Sequence, residues 1–381
     1  MLTPVVYIAL LAPVFIPLAI ATLLFCDAGR LNTPKLFLSV AMLNASFVFY
    51  GNYLYFVHDY VWYSYLHGFH IAAVLLIYPS FYYYLSLLSG KAFSAKRFGY
   101  HCIPALVFMI LSDSLFFPFL TTDQRVYFLS EYRLHPTMQT IWLQMLWIIR
   151  FANVVVLLLQ IVYYSIKMYV LQKEHNAKVQ ECFSSPWNVN LNWMKIINIS
   201  FVCSAVICVF VYVANPAKHT GDQRYVIYPF FLLSCIISVM GILGNSQELI
   251  FKYEIVENEE PLPDVVVASE LKQKLEDYFE REKPYLQPEL KIWDICKELR
   301  TNRTYISNAI NEGFGMNFSQ FVNQYRVAYA KELLQVSPQK KMEEIAMESG
   351  FGSQASLNRA YKHIENATPI EFKKLVLKQN T

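Results

Sequence analysis

The sequence predicts an all-α protein in two parts: an N-terminal bundle of seven transmembrane helices and a C-terminal domain with two helix-turn-helix units in tandem. Three observations predict it. Seven apolar runs, each near the ~20 residues that a bilayer crossing needs, fill the first two-thirds of the chain. Charge is spread unevenly: residues 1–250 hold 14 Lys and Arg, while residues 268–381 hold 17. Beyond residue 268 the apolar periodicity becomes that of amphipathic helices separated by short polar turns. Of the 381 residues, 55 % are hydrophobic and 16 % charged; soluble domains carry about 25 % charged residues.

The seven runs are Val5–Phe25, Leu36–Val57, Tyr63–Leu88, Ile103–Leu120, Thr140–Met168, Ile196–Ala214 and Tyr225–Gly244. The first has no positive charge ahead of it and no small-residue cleavage site, so it reads as a retained helix. Orientation follows from the loops. Odd-numbered turns carry nine basic residues (Arg30, Lys35, Lys91, Lys96, Arg97, Lys167, Lys173, Lys178, Lys195). Even-numbered turns carry four (Arg125, Arg133, Lys218, Arg224). The excess predicts an outside N-terminus and a cytoplasmic C-terminal third in the inner membrane. None of the seven cysteines falls in an outer loop, so no disulfide is expected.

Polar groups inside the runs are expensive and so informative. Arg150 lies near the middle of the fifth run, and Asp113 in the fourth is its expected partner by depth. His67 and His70 share one helical face, at a spacing that suits hydrogen-bonded packing or one half of a metal site. No third ligand is visible, so no metal is expected. These four are the candidate intramembrane signalling or ligand residues. Tyr50, Tyr53, Tyr55, Tyr60, Trp62, Tyr63 and Tyr65 crowd the outer ends of the second and third runs, as an interfacial belt or a pocket lining.

Several machines are disfavoured. The last run has no Lys for a retinal Schiff base. No P-loop, HExxH motif or kinase phosphate loop is present. No set of nucleophile, base and orienting group can be assembled, so neither an enzyme nor a cofactor is expected.

Residues 249–267, with their acidic run and two prolines, read as a linker. A first tail helix, Ala268–Lys283, turns Leu271, Leu275, Tyr278 and Phe279 to one side and ends at Pro284. Leu290–Leu299 is a second. After the turn Arg300-Thr301-Asn302, helix Arg303–Glu312 buries Ile306, Ala309 and Ile310. It presents Arg303, Thr304, Tyr305, Ser307, Asn308 and Asn311, residue types that bond base edges and phosphates. Asn317–Gln335 is longer, with Phe318, Phe321, Val322, Tyr325, Ala328 and Leu333 expected inward. The pattern then repeats. Met342–Ser349, the turn Gly350-Phe351-Gly352 and helix Ser353–Ile364 follow, the last presenting Ser353, Gln354, Ser356, Asn358, Arg359 and Lys362. The tail holds 17 basic against 15 acidic residues, so DNA binding here would rest on placement and not on a broad basic field.

The tail also resembles the AraC-type DNA-binding domain. The residues that carry the resemblance are Asp294-Ile295-Cys296 with Tyr305-Ile306-Ser307, Asn317-Phe318 with Phe321 to Arg326, Glu344-Ile345-Ala346, Gly350-Phe351, and Thr368 to Lys373. It departs from the family where Leu357 and Tyr361 replace Phe, where Asn366 replaces Gly, and where Phe372-Lys373 replaces Tyr-Arg. The resemblance implies sequence-specific promoter binding, the first reading helix discriminating more. It implies nothing about the apolar part.

The expected organisation is a seven-helix sensor at 1–248, a linker at 249–267 and a DNA-binding domain at 268–381. The expected function is a membrane-bound transcription regulator that couples a membrane or external signal to promoter binding, with the first tail helix as relay. The rival is a membrane receptor or transporter whose tail is a protein-interaction scaffold. The partners expected are double-stranded promoter DNA, the lipid bilayer, and an unidentified small-molecule or membrane stimulus. A second copy of the chain and RNA polymerase are further candidates.

Overall fold

The computed structural model describes residues 4–28, 33–91, 94–132, 140–185, short stretches within 192–206, and 224–245 and 266–379. Among them the chain is helical, with no strand and one isolated antiparallel bridge. It divides into two compact units. One comprises residues 1–173 and 191–247; the other comprises 174–190 and 248–381.

The first unit contains α1 (Pro4–Ala28), α2 (Thr33–Phe56), α3 (Tyr60–Leu88), α4 (Ala95–Phe119), the short α5 (Thr122–Tyr127), most of α6 (Ile141–Cys182) and α7 (Arg224–Asn245). Helices α1 to α4 pack successively, and α7 returns against α1 and α2. Among the described residues, five helices are long and apolar enough to cross a membrane: the α1 segment Leu10–Ala28, α2, α3, α4 and α6. The part Phe231–Asn245 of α7 is a shorter apolar helix. The expected run Ile196–Ala214 lies mostly outside the described residues. Seven spans were expected; five candidates and this shorter helix are described.

Prolines sit inside α1 (Pro13, Pro17), α3 (Pro79) and α4 (Pro104, Pro118). Such prolines are tolerated where neighbouring helices and side chains satisfy the freed backbone groups. Helix α4 buries only Ala105, Ser112 and Phe116, while Ile103, Val107, Ile110 and Leu111 are exposed. Helix α6 likewise exposes Ile148, Phe151, Leu159, Val162 and Ile166. Contiguous apolar faces of this kind suit a hydrocarbon solvent and not water.

Polar side chains stitch this unit internally. Ser39 Oγ donates to the Ala21 carbonyl at 2.8 Å and Ser46 Oγ to that of Val14 at 2.7 Å. Tyr84 OH donates to the Gly244 carbonyl at 3.1 Å. At one end, Leu54, Tyr63, Phe116, Leu120, Phe128, Leu129, Leu143 and Leu146 form a core, with Tyr53, Tyr55 and Tyr60 packed on it. The tyrosines expected at a membrane interface are therefore partly absorbed into packing.

The second unit contains α8 (Val266–Glu282), a 3-10 turn (Pro284–Leu286), α9 (Ile292–Glu298), α10 (Arg303–Phe314), α11 (Phe318–Val336), α12 (Met342–Glu348), α13 (Gln354–Glu365) and α14 (Pro369–Gln379). It has two cores. Leu271, Leu275, Phe279, Ile292, Ile295, Ile306, Ile310, Phe318, Phe321 and Val322 belong to the first. Val327, Ala330, Leu334, Ile345, Ala346, Phe351, Leu357 and Tyr361 form the second. Helix α11 feeds both: Phe318, Phe321 and Val322 enter one, and Val327, Ala330 and Leu334 the other. The two halves are thus joined by one continuous helix.

Candidate nucleic-acid interface

Each helix-turn-helix is built by its turn. In the first half, α9 ends at Leu299 and Asn302 caps α10, its Oδ1 accepting from Tyr305 N at 3.1 Å. A side-chain acceptor at this position satisfies one of the orphan N–H groups that every helix start leaves. Gly315, at φ 70°, closes α10 in the left-handed conformation. Asn317 and Gln320 then form a reciprocal capping box that starts α11. In the second half, Gly350 (φ 81°) turns the chain after α12. Ser353 and Ser356 cap α13 reciprocally. Asn366, at φ 55°, closes α13 in the left-handed conformation, so the Asn that departs from the family's Gly keeps the cap.

On α10, Thr304, Asn308 and Asn311 are exposed. Their spacing puts them on one face. Asn311 Nδ2 donates to Ser307 Oγ at 3.3 Å, which fixes the amide's direction. Arg303 and Ser307 are half-buried. Tyr305 is also half-buried and packs against the first core, so its ring is committed to the fold and not presented outward as expected.

On α13, Arg359 and Lys362 are exposed, and Ser353 stands exposed at the cap. Gln354 and Asn358 are half-buried. Asn358 Oδ1 is shielded without a hydrogen-bond partner among the described residues. Ser356 is buried, against expectation: its Oγ donates to the Ser353 carbonyl at 2.6 Å and accepts from Ser353 N at 3.2 Å. It builds the cap and presents nothing outward.

Arg326, which the sequence offers as a structural ion-pair or phosphate residue and not a base reader, proves structural, but its partners are carbonyls and hydroxyls. It is 0 % exposed, at the middle of α11. Its Nε donates to the Tyr285 carbonyl at 2.7 Å, and one terminal nitrogen to the carbonyls of Gln287 at 2.6 Å and Pro288 at 3.3 Å. Ser184 Oγ and Ser185 Oγ accept at 3.1 and 3.3 Å. The guanidinium also lies 5.7 Å from the centre of the Phe351 ring. Burial lowers its pKa to about 10. The fork thus ties the backbone before α9 to the turn of the second half. Burying Arg326 rotates α11: Val327 and Ala330 face inward, and Ala328, expected inward, is exposed. Tyr325 sits beside it, its hydroxyl raised to about 12, chiefly by burial.

The intramembrane candidates lie in the first unit. His70 Nδ1 meets Tyr63 OH at 3.1 Å and its Nε2 meets the Val48 carbonyl at 3.1 Å. His67 Nδ1 meets Ser112 Oγ at 3.3 Å, and the His67 ring stacks on Phe116. The two imidazoles therefore serve different hydrogen bonds, and no group of three metal-ligating side chains occurs among the described residues. Asp113 does not meet Arg150 as expected. Its carboxylate lies over Gly68, where an added Cβ would overlap it, and its Oδ1 has no hydrogen-bond partner among the described residues. Arg150 makes its contacts elsewhere. Gly68 gives the carboxylate the room that a side chain there would fill, so packing between α3 and α4 decides where Asp113 goes.

With this geometry in place, comparison with known proteins adds the family. The model of the helix-turn-helix domain matches residues 295–375. Residues 295–375 thus resemble a known helix-turn-helix domain, over the same stretch that carries most of the AraC-type resemblance. The TCP pilus virulence regulatory protein of Vibrio cholerae (strain O395) is 34 % identical over 79 residues, 21 % of this chain and 28 % of that protein. An HTH-type transcriptional regulator of Staphylococcus aureus is 28 % identical over 97 residues, 26 % of this chain and 12 % of that protein. The chain thus spans about a quarter or less of the curated relatives described. No solved structure matches it. The match runs from within α9 to within α14 and leaves α1 to α8 unmatched.

Proposed function

We propose that this protein is a membrane-anchored transcription regulator. Its AraC-type domain reads promoter DNA at the cytoplasmic face, and its apolar helices hold that domain at the bilayer and receive the signal. The observation that carries the reading is the pairing of α10 and α13. Both are capped, both present a polar face, and α11 joins the two halves that carry them. At ~1.5 Å per residue, the 19 residues of α11 span about 28 Å, close to the ~34 Å that separates successive major-groove segments on one face of DNA.

On α10, Thr304, Asn308 and Asn311 are the base-reading face. On α13, Arg359 and Lys362 are phosphate or base contacts. Arg303 flanks the first reader. Asp113, His67 and His70 mark a polar layer in the apolar bundle where a stimulus acts.

Genome-wide crosslinking and immunoprecipitation of the tagged chain, with membrane fractionation of the same cells, tests the reading. Sharp promoter peaks from protein held in the membrane fraction are expected, and Asn308→Ala with Arg359→Ala should erase them without changing fractionation. If output and peaks survive both substitutions, the tail is not the DNA reader. The scaffold alternative would then stand.

A further inference from the structure

The end of α6 belongs to the DNA-reading unit. Helix α6 is 42 residues long, about 63 Å at ~1.5 Å per residue. That is roughly twice the ~30 Å hydrocarbon thickness. Residues 174–190 fall in the second unit, where the sequence suggests only an inner loop. Val179, Cys182 and Phe183 are buried in the first core of the reading domain. Phe183 forms an antiparallel bridge with Lys291 and packs edge-on against Trp293. Ser184 N and Oγ both donate to the Leu290 carbonyl, at 3.1 and 2.7 Å. Ser319 Oγ, in the first turn of α11, donates to the Ser184 carbonyl at 3.2 Å. Ser184 and Ser185 supply two of the acceptors around buried Arg326.

This segment also reaches the first reading helix. Arg303, the first residue of α10, donates from a terminal nitrogen to Cys182 Sγ at 3.2 Å. Gln180 Oε1 accepts from Asn317 Nδ2 at 3.5 Å, at the start of α11. A guanidinium at the start of a reading helix suits a phosphate contact. Here one of its terminal nitrogens is engaged on the buried Cys182 thiol instead.

We infer that Val179–Ser185 are an intramolecular clamp on the first helix-turn-helix: docked, the clamp withholds Arg303 from the DNA backbone, and its release adds one phosphate contact. The clamp ends the fifth apolar helix directly, so movement of that helix reaches the reader without passing through the linker. Docking and DNA binding then oppose each other, and the coupling is reciprocal. The inference rests on the DNA-binding reading above.

Two measurements on the detergent-purified full chain test it. The first uses wild type. A short random-sequence duplex is added to saturation at low salt, and maleimide labelling of each cysteine is followed by mass spectrometry. Cys182 is 2 % exposed when docked, so DNA should accelerate its labelling several-fold while Cys296 keeps its rate. Unchanged or slower labelling of Cys182 overturns the clamp. Absence of any duplex binding in the same sample would instead refute the DNA-binding reading, which separates the two failures. The second uses Ser184→Ala with Ser185→Ala, which loosens the dock and leaves the apolar core in place. Its affinity for the duplex should rise several-fold, with a log–log salt slope steeper by about 0.9, the value for one added phosphate. Adding Arg303→Ala should cancel both changes. Equal or weaker binding by the double variant, or a gain that survives Arg303→Ala, overturns the inference.

Discussion

At the residue scale, the second unit depends on a few groups that nothing else can replace. Arg326 is the first. Replacing it with Ala leaves the Tyr285 carbonyl without its Arg326 donor, takes the shorter of two donors from the Gln287 carbonyl and opens a cavity beside Phe351. A loss of about 3 kcal/mol or more is expected. Arg326→Lys should also destabilise, because one ammonium cannot serve a planar fork of acceptors. Calorimetry of the purified chain checks both; a C-terminal transition that does not move would rule out the anchor. Gly350 is the second. Its φ of 81° disfavours any side chain, and an added Cβ would overlap the Tyr285 carbonyl oxygen. Gly350→Ala should therefore cost at least about 2 kcal/mol, read in the same calorimetry. Asn302 is a milder case, in which loss of the cap by Asn302→Ala should cost about 1 kcal/mol. Asn302 was legible in the sequence, since a polar residue directly before an apolar-periodic helix is a cap. Arg326 was legible only in part: a structural ion-pair or phosphate role could be expected, but not full burial on carbonyls. Only its carbonyl partners, about 40 residues earlier, make burial affordable.

At the scale of elements, α10 and α13 should fail in different ways. Asn308→Ala removes a directional donor and acceptor from the exposed face of α10. It should cost about 1–3 kcal/mol at one base position and relax specificity there. Selection from a randomised duplex pool measures this, and an unchanged base preference would place the reader elsewhere. Arg359→Ala or Lys362→Ala on α13 should weaken all sequences alike and lower the salt slope by about 1. Titrations at several salt concentrations separate that from base reading. The polar faces of both helices were legible from periodicity. Tyr305 and Ser356 were not, because both lie within the first turn, where the cap sets the rotation of the helix. Ser356 is drawn into its capping box, and Tyr305 is turned onto the first core.

For the molecule as a whole, the composition step corresponds to two compact units, with one amendment. Residues 174–190 join the reading unit although they precede the last apolar helix in the chain. If the long apolar helices cross the bilayer, high-salt and alkaline washes should leave the chain in the membrane pellet, and only detergent should release it. Release by salt alone would mean a peripheral protein and would contradict the spanning reading.

The sequence by itself determined the helical class, the apolar runs, the caps and turns of the reading domain and its AraC-type pattern. All of these depend on neighbours within a turn or two of helix, where spacing speaks for contact. The tertiary structure alone decided that Arg326 is buried, that Asp113 turns to Gly68 and not to Arg150, and that Phe183 and Ser184 complete the first core. Ser184 and Arg326 are 142 residues apart in the chain. No local periodicity encodes a contact of that separation; it exists only once both cores have closed around it.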